Sequence, residues 1–419
     1  MKTITPHLYC QALSLGLVIP AFAGEISDTY VADLSQVPVT SEPDVFEWLK
    51  PSLNVRARYE FRDQDGFSGS NSFTTRARVG LTLGEFGGFS AFAEGEFNTA
   101  IVRDFRSNPA NDSTFPFRDG NTVISDPRNA ELNQAYLQYK KDGVLLRAGR
   151  QRIIRNSAAF IGNVGWRQNE QTFDAVHLGY TGEDFEISYA YSDRAQRIFG
   201  EEASGALNEF EGDFHFIDGN YNADFGKVGG YVYLIDVENN GNVGESNSFG
   251  VFGNFGPLYA EFAYQEGEGN LSEGDYDAVY GHVKFTHKID KTTLLLGAEY
   301  LSEDFKTPFA TVHAFNGFAD AFILQRIGLN ENSNFEGITD IYAGITQAGL
   351  PGGLTFKGFL HYYANDSLDE TYGYEVDAVL VKKFNKNFTG LLKAAYFVAD
   401  DGGDFSDITQ VTVDLTYTF

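Results

Sequence analysis

The chain has 419 residues, of which 45 are Gly, 38 Phe and 23 Tyr, with one Cys, one Met and two Trp. Acids outnumber bases 58 to 31, a formal charge of −27, which excludes a nucleic-acid backbone as partner because phosphates need a basic face. Hydrophobic content of 42% is too high for disorder, and Gly and aromatics spread over the whole length point to one large β architecture rather than several domains.

Residues 1–23 read as a secretory signal. Lys2 is followed by the apolar stretch Ala12–Phe22, and Ala21-Phe22-Ala23 is a small-x-small cleavage site. That stretch is shorter than the ~20 residues a spanning helix needs. Cleavage after Ala23 removes Cys10 and the single Met, so the remaining chain has no thiol chemistry. Residues 24–50 are acidic, fit no strand and read as a periplasmic segment.

From residue 51 the pattern is strand after strand. Leu53–Phe61 alternates apolar and polar without exception. Phe73–Leu83 repeats this, with Arg76 and Arg78 on one face and Ala77, Val79, Leu81 and Leu83 on the other. Phe185–Tyr191, Leu294–Tyr300 and Val411–Phe419 follow the same rule. Such alternation gives one wet and one apolar face. About 18 segments of roughly 9–12 residues appear, the length that crosses a bilayer at a strong tilt.

The connections alternate as well. Short ones such as Gly84–Gly88, Lys140–Gly143 and Phe384–Asn387 separate long polar ones. The longest are Thr99–Asn129, Ile153–Gln171, Asp193–Glu209 and Ser302–Gly337. Short turns on one side and long loops on the other predict a closed antiparallel transmembrane β-barrel over 51–419, with periplasmic turns and extracellular loops. Such a barrel sits in the outer membrane of a Gram-negative bacterium, surrounded by lipid. The last strand ends at Phe419 after four alternating apolar residues. It fits barrel closure and resembles the C-terminal signal read by the barrel-assembly machinery.

If the apolar alternation marks lipid, the other parity lines the lumen. There stand Arg56, Arg58 and Glu60 on the first strand, Arg76 and Arg78 on the second, and Glu94 and Glu96 on the third. Arg147 shares this face on the fifth strand, while Arg150 has the opposite parity. Sixteen of the seventeen Arg precede residue 200, and most surplus acid follows it. An arginine wall opposite acidic material predicts a transverse field that orients polar solutes. Arginine suits an anion path because its planar fork binds carboxylates bidentately and stays charged. The plainer reading is paired lumen charge that only keeps the interior wet.

Two blocks carry a family resemblance: Gly-Arg-Gln at 149–151, and FIGNVGWRQNEQTFDA at Phe160–Ala175. They resemble the alginate-export family of outer-membrane barrels. Ala130–Tyr139 (AELNQAYLQY) and His313–Asp320 (HAFNGFAD) are similar to further blocks of that family. The resemblance implies an 18-stranded, monomeric barrel with a charged lumen, and a founding role in exporting an anionic polysaccharide. Arg150, Arg152, Asn163, Trp166, Arg167 and Asp174 fall in or beside the matched blocks.

Other constellations carry less. Gly162–Gly165 lacks the Lys-Ser/Thr of a phosphate loop. Asp213 and His215 share a face but have no evident nucleophile. Asp400–Asp404 offers carboxylates to a calcium ion, though a solvated acidic loop is the simpler account. His282 and His287 are an odd number apart, so one strand sends them to opposite faces. The expectation is a passive channel for hydrophilic, anionic solutes, needing no cofactor and no metal. A weakly selective uptake porin, an outer-membrane barrel enzyme and a surface adhesin are the alternatives. The long loops Ser302–Gly337 and Thr99–Asn129 are the ones expected to fold inward or cap the mouth.

Overall fold

A computed structural model describes residues 48–108, 117–268, 274–311, 313, 315–329 and 335–419. The signal segment 1–23 and nearly all of the segment 24–50 lie outside the described residues. Leu49 and Lys50, expected in that segment, are instead the first residues of a strand.

Eighteen strands follow one another. They are β1 (Leu49–Gln64), β2 (Ser70–Phe86), β3 (Phe89–Asp104), β4 (Asn129–Lys141), β5 (Val144–Gln151) and β6 (Thr172–Thr181). Next come β7 (Phe185–Gln196), β8 (Glu209–Ala223), β9 (Gly226–Val237), β10 (Glu245–Phe255), β11 (Leu258–Glu268) and β12 (Asp275–Ile289). The last are β13 (Thr292–Leu301), β14 (Ile338–Leu350), β15 (Leu354–Ala364), β16 (Thr371–Lys383), β17 (Phe388–Ala399) and β18 (Ile408–Thr418). Each pairs antiparallel with its sequence neighbours. β1 also pairs with β18 from Asn54↔Thr418 to Gln64↔Ile408, which closes the sheet. Closure leaves no unpaired edge, the condition for a sheet to stand in hydrocarbon.

The alternation read from the sequence is the inside–outside alternation of the barrel. Val79, Leu81 and Leu83 are exposed on the outer face, while Arg76 and Arg78, of the other parity, are buried in the lumen. On β18, Val413 and Leu415 are exposed and Thr412, Asp414 and Thr416 are buried. A belt of exposed aromatics, including Phe86, Phe89, Phe185, Phe225, Phe255, Phe384 and Phe388, marks the short-turn end. Neighbouring rings touch there, as in Phe89–Tyr139 and Phe388–Tyr417. This is the interfacial girdle of a membrane barrel.

Several strands outrun their expected bounds, β2 reaching 17 residues, because the polar lumen face extends the ladder beyond the apolar band. β5 is the exception. It has eight residues against 13 in its partner β4, so the chain leaves the wall short of the level at which β4 begins. Gly149 marks this departure. Its φ of +122° suits glycine, and a Cβ there would strike the Ala135 carbonyl oxygen on β4.

An eighteen-stranded barrel is too wide for its wall side chains to fill. Here loops fill it. Residues 157–164 and 166–171 are buried, as are Phe305, Thr307, Phe309, Thr311, Phe318 and Phe322 in the loop from 302 to 337. That second loop carries a single helical turn, α1 (Ile323–Arg326). The two loops pair inside the barrel through a parallel bridge, Ile161↔Phe309. Gly162 donates to the Phe309 carbonyl at 2.8 Å, and Thr311 donates to the Ala158 carbonyl at 3.0 Å. The inward position expected of Ser302–Gly337 is observed at Phe305, Phe309, Phe318 and Phe322. The deep insertion of Ile153–Gln171 was not expected from its polar sequence.

Candidate functional site

The lumen has two unlike walls. Along β6–β12 the inward face is rich in aromatics, among them Phe173, Phe214, Phe216, Tyr231, Tyr233 and Tyr280. Phe160 from the first loop lies 5.2 Å from Tyr231 and 5.1 Å from Tyr280, ring centre to ring centre. Phe309 from the second loop lies 5.4 Å from Phe173 and 4.8 Å from Phe214. The two loops are thus held on this side by an apolar core inside the barrel.

The other wall carries the charge. Arg56, Arg58, Arg76 and Arg78 come from adjacent strands, with Arg56 directly opposite Arg76. All four are buried, which requires partners for each. Arg58 makes a two-pronged bond to Asp414 at 2.8 and 2.9 Å and lies 3.7 Å from Asp126. Arg56 donates to Gln168 Oε1 at 2.9 Å and to the backbone oxygens of Gly165, at 3.2 Å, and Arg167. Arg76 bonds Asn54, and Arg78 bonds Glu96 and approaches Glu170 at 3.5 Å. Glu94 accepts from Asn133 at 2.8 Å and Gln134 at 3.1 Å. Glu60 accepts from Arg167 at 3.1 Å. Arg147 is not in this group. It stands on β5 with Gln138 at 2.6 Å and its guanidinium over the Tyr136 ring.

Four of these partners, Gly165, Arg167, Gln168 and Glu170, belong to the inserted loop, and all four lie in the sixteen-residue block. Arg152 reaches Glu170 at 2.8 Å, and Asn163 reaches the same carboxylate at 2.8 Å. Trp166 is buried between charged and aromatic groups. Its ring stacks on His313 at 4.3 Å and 8°, with Lys393 Nζ at 3.6 Å and Arg58 Cζ at 4.1 Å from its centre. Arg150 and Asp174 pair bidentately at 2.8 and 3.0 Å, with the parity of the outward Val176 and Leu178. They brace the outer face where β5 ends and do not enter the lumen.

His313 links both loops to the wall. Its Nδ1 donates to Asp320 at 2.8 Å, and its Nε2 lies 2.8 Å from Lys393 Nζ. Burial pushes the imidazole down to about 3, so it is neutral and accepts at Nε2. Burial alone would raise the Asp320 carboxyl, but His313 and Arg167 hold it below the ordinary carboxylate range.

The reading from sequence missed Glu170, Asp126, Asp320, Lys393 and Asp414. Glu170 and Asp320 lie inside quoted blocks, so position alone could have singled them out. Lys393 and Asp414 face the lumen by the same parity rule that selected the arginines. Glu299 is a further miss: on β13 it grips Arg326 of α1 at 3.0 and 3.1 Å. Asp213 and His215 are each bonded to a tyrosine hydroxyl, Tyr191 and Tyr189, and form no catalytic set. Among the described residues no cluster of His, Cys, Asp or Glu could hold a metal ion, Asp400–Asp404 included.

An alginate-export family model matches residues 47–192. That span contains the Ala130–Tyr139, Gly149–Gln151 and Phe160–Ala175 blocks, but not His313–Asp320. The chain is a closed 18-stranded antiparallel barrel in which residues 47–192 are similar to the alginate-export family. The fold matches solved outer-membrane proteins. The outer membrane protein OpdK of Pseudomonas aeruginosa, in a structure with vanillate, is 14% identical, with 89% of this chain and 99% of OpdK covered and a TM-score of 0.63. OccAB3 of Acinetobacter baumannii is 13% identical, with 88% and 99% covered and a TM-score of 0.64. OccK8 (OprE) of Pseudomonas aeruginosa is 14% identical, with 89% and 98% covered and a TM-score of 0.62. No curated protein sequence matches. The structural likenesses show that the fold is that of these outer-membrane barrels.

Proposed function

We propose that this alginate-export-like barrel is a passive, monomeric channel for hydrophilic, anionic solutes, closed at rest by its two inserted loops. One observation supports this reading above others. At mid-lumen, Arg56, Arg58, Arg78, Arg152 and Arg167 converge, and the loops meet them with carboxylates and carbonyls. A solute bearing carboxylates offers the same groups. Guanidinium bound to a plug by charge-assisted bonds can exchange one oxygen ligand for another without leaving a charge bare. The likeness to OpdK, solved with the carboxylate vanillate, agrees with such a solute. The family name points to a polyuronate. Selectivity then comes from width and field and needs no cofactor. The remaining partners are membrane lipid on the outer face and the assembly machinery at the Phe419 end.

The test is conductance and reversal potential of the refolded barrel in planar bilayers. Small, anion-preferring steps that respond to a short polyuronate are expected. The Arg56→Ala/Arg58→Ala/Arg76→Ala/Arg78→Ala variant is expected to lose the anion preference. Large steps, unaffected by polyuronate and unselective in wild type and variant alike, would replace this reading with a general uptake porin.

A further inference from the structure

We propose that Glu170 acts as a built-in stand-in for the solute, occupying a carboxylate cradle that an incoming carboxylate takes over when the plug opens. This rests on the channel reading above and adds to it the residue that sets both closure and selectivity.

The cradle is assembled from three parts of the molecule. Arg78 comes from β2, Asn133 from β4, and Arg152 and Asn163 from the inserted loop. The carboxylate oxygens are served separately. Oε1 accepts from Asn133 Nδ2 at 2.7 Å and from Arg152 Nη2. Oε2 accepts from Arg152 Nε at 2.8 Å and from Asn163 Nδ2 at 2.8 Å, with Arg78 Nη1 at 3.5 Å. The Arg152 fork and the two amides thus grip one flat, two-oxygen group. A planar carboxylate uses every one of these donors. A tetrahedral sulfate or phosphate has further oxygens that none of these donors serves.

The position within the loop decides what this grip does. Arg152 directly follows β5, and Glu170 stands two residues before β6. The cradle therefore closes the neck of the loop, where both of its limbs leave the wall. Arg78 and Asn133 belong to the wall itself. The loop cannot swing away from β2–β4 while Glu170 remains between them. Glu170 is fully buried, so leaving without a replacement would cost Arg152 its two-pronged partner, Arg78 a nearby carboxylate beside its bond to Glu96, and two amides an acceptor, all in a dry lumen. An incoming carboxylate removes that penalty, so opening is coupled to the solute's own charge. Neutral sugars provide no such compensation.

The experiment uses the full refolded chain in planar bilayers, with galacturonate trimer, maltotriose and sulfate as probes. In the wild type, the uronate trimer is expected to raise the frequency of open steps several-fold, while maltotriose and sulfate do not. Glu170→Gln keeps the size but turns one acceptor into a donor facing Arg152 and the amides. It is expected to raise open steps about tenfold without any probe and to abolish the response to the trimer. Asn163→Ala keeps the charge and should shift both readouts in the same direction by less. Heat-modifiable migration reports whether each variant is folded, and Asn163→Ala decides if Glu170→Gln is not. Wild-type anion preference together with Glu170→Gln indistinguishable from wild type would overturn this proposal alone. A wild type with no anion preference would overturn the channel reading beneath it.

Discussion

Trp166→Ala removes a buried side chain of the inserted loop. Trp166 is 2% exposed, stacked on His313, and faced by the cations of Lys393 and Arg58. Truncating a buried Trp costs about 3–5 kcal/mol, and each cation–ring contact is worth about 0.5–2 kcal/mol within that total. The contacts join Trp166 to the second loop through His313 and to the wall through Arg58 and Lys393, so the cost falls on the closed arrangement. A loss of about 4 kcal/mol shifts the closed-to-open ratio by roughly a thousandfold, at ~1.4 kcal/mol per factor of ten. Trp166→Phe keeps a ring between the cations and should lose only about a third of this. The assay is open probability in planar bilayers at neutral pH. The temperature at which heat-modifiable migration changes should barely move, because the barrel ladder is untouched. An open probability for Trp166→Ala within threefold of wild type, in a folded barrel, would refute the claim that this stack holds the plug.

Three further outcomes follow from the same geometry. Arg58→Met leaves Asp414 buried without its cation and should lower barrel stability by about 3–5 kcal/mol, whereas Arg118→Met, which removes an exposed pair with Asp104, should cost under ~1 kcal/mol; urea unfolding separates the two. Val413→Arg places a charge on the lipid face near the middle of β18 and should cost about 2–4 kcal/mol when folding into vesicles is titrated. Acid should loosen the plug. His313 is pushed down to about 3 by burial, with Asp320, Lys393, Arg167 and Trp166 packed around it, so stability present above the unfolded value near 6.5 is lost as pH falls toward 3. Asp320, held low, loses stability in the same direction on protonation. Open probability measured at pH 7, 5 and 4 should therefore rise, and His313→Phe should flatten the rise.

The outer face was legible because the solvent there is uniform. Hydrocarbon tolerates only apolar side chains, so Leu53–Phe61 and Val411–Phe419 announce their faces in sequence. The lumen face was legible only as parity. Its contacts join residues far apart in the chain, such as Arg56 with Gln168 and Arg58 with Asp414. Parity put Arg58 inside, but nothing local says whether it meets water or a carboxylate. The depth of the loop at 152–171 was not legible for a related reason. Asn163, Gln168, Asn169 and Gln171 read as solvated loop, yet each is buried and bonded within the lumen. A polar loop can enter a barrel when the wall is polar too, so its hydrophilicity does not decide its place.

The two lumen walls differ in what water can replace. On the side of β6–β12 the loops are held by Phe160 and Phe309 among wall aromatics, and wetting those rings returns apolar surface to water at about 25 cal/mol per Å². On the side of β1 and β2 the same loops are held by guanidinium bonded to carboxylate, carbonyl and amide. Water, or a soluble anion, can satisfy each of those groups in place of the loop. Net stability from such bonds is small while they are made, but losing one partner in a dry lumen is costly. The charged wall is therefore the side where the plug parts at low cost, provided an anion or water arrives as it leaves. On the proposed channel reading, that condition ties the arginine wall to solute entry through the plug, even though every one of those arginines is engaged in the structure.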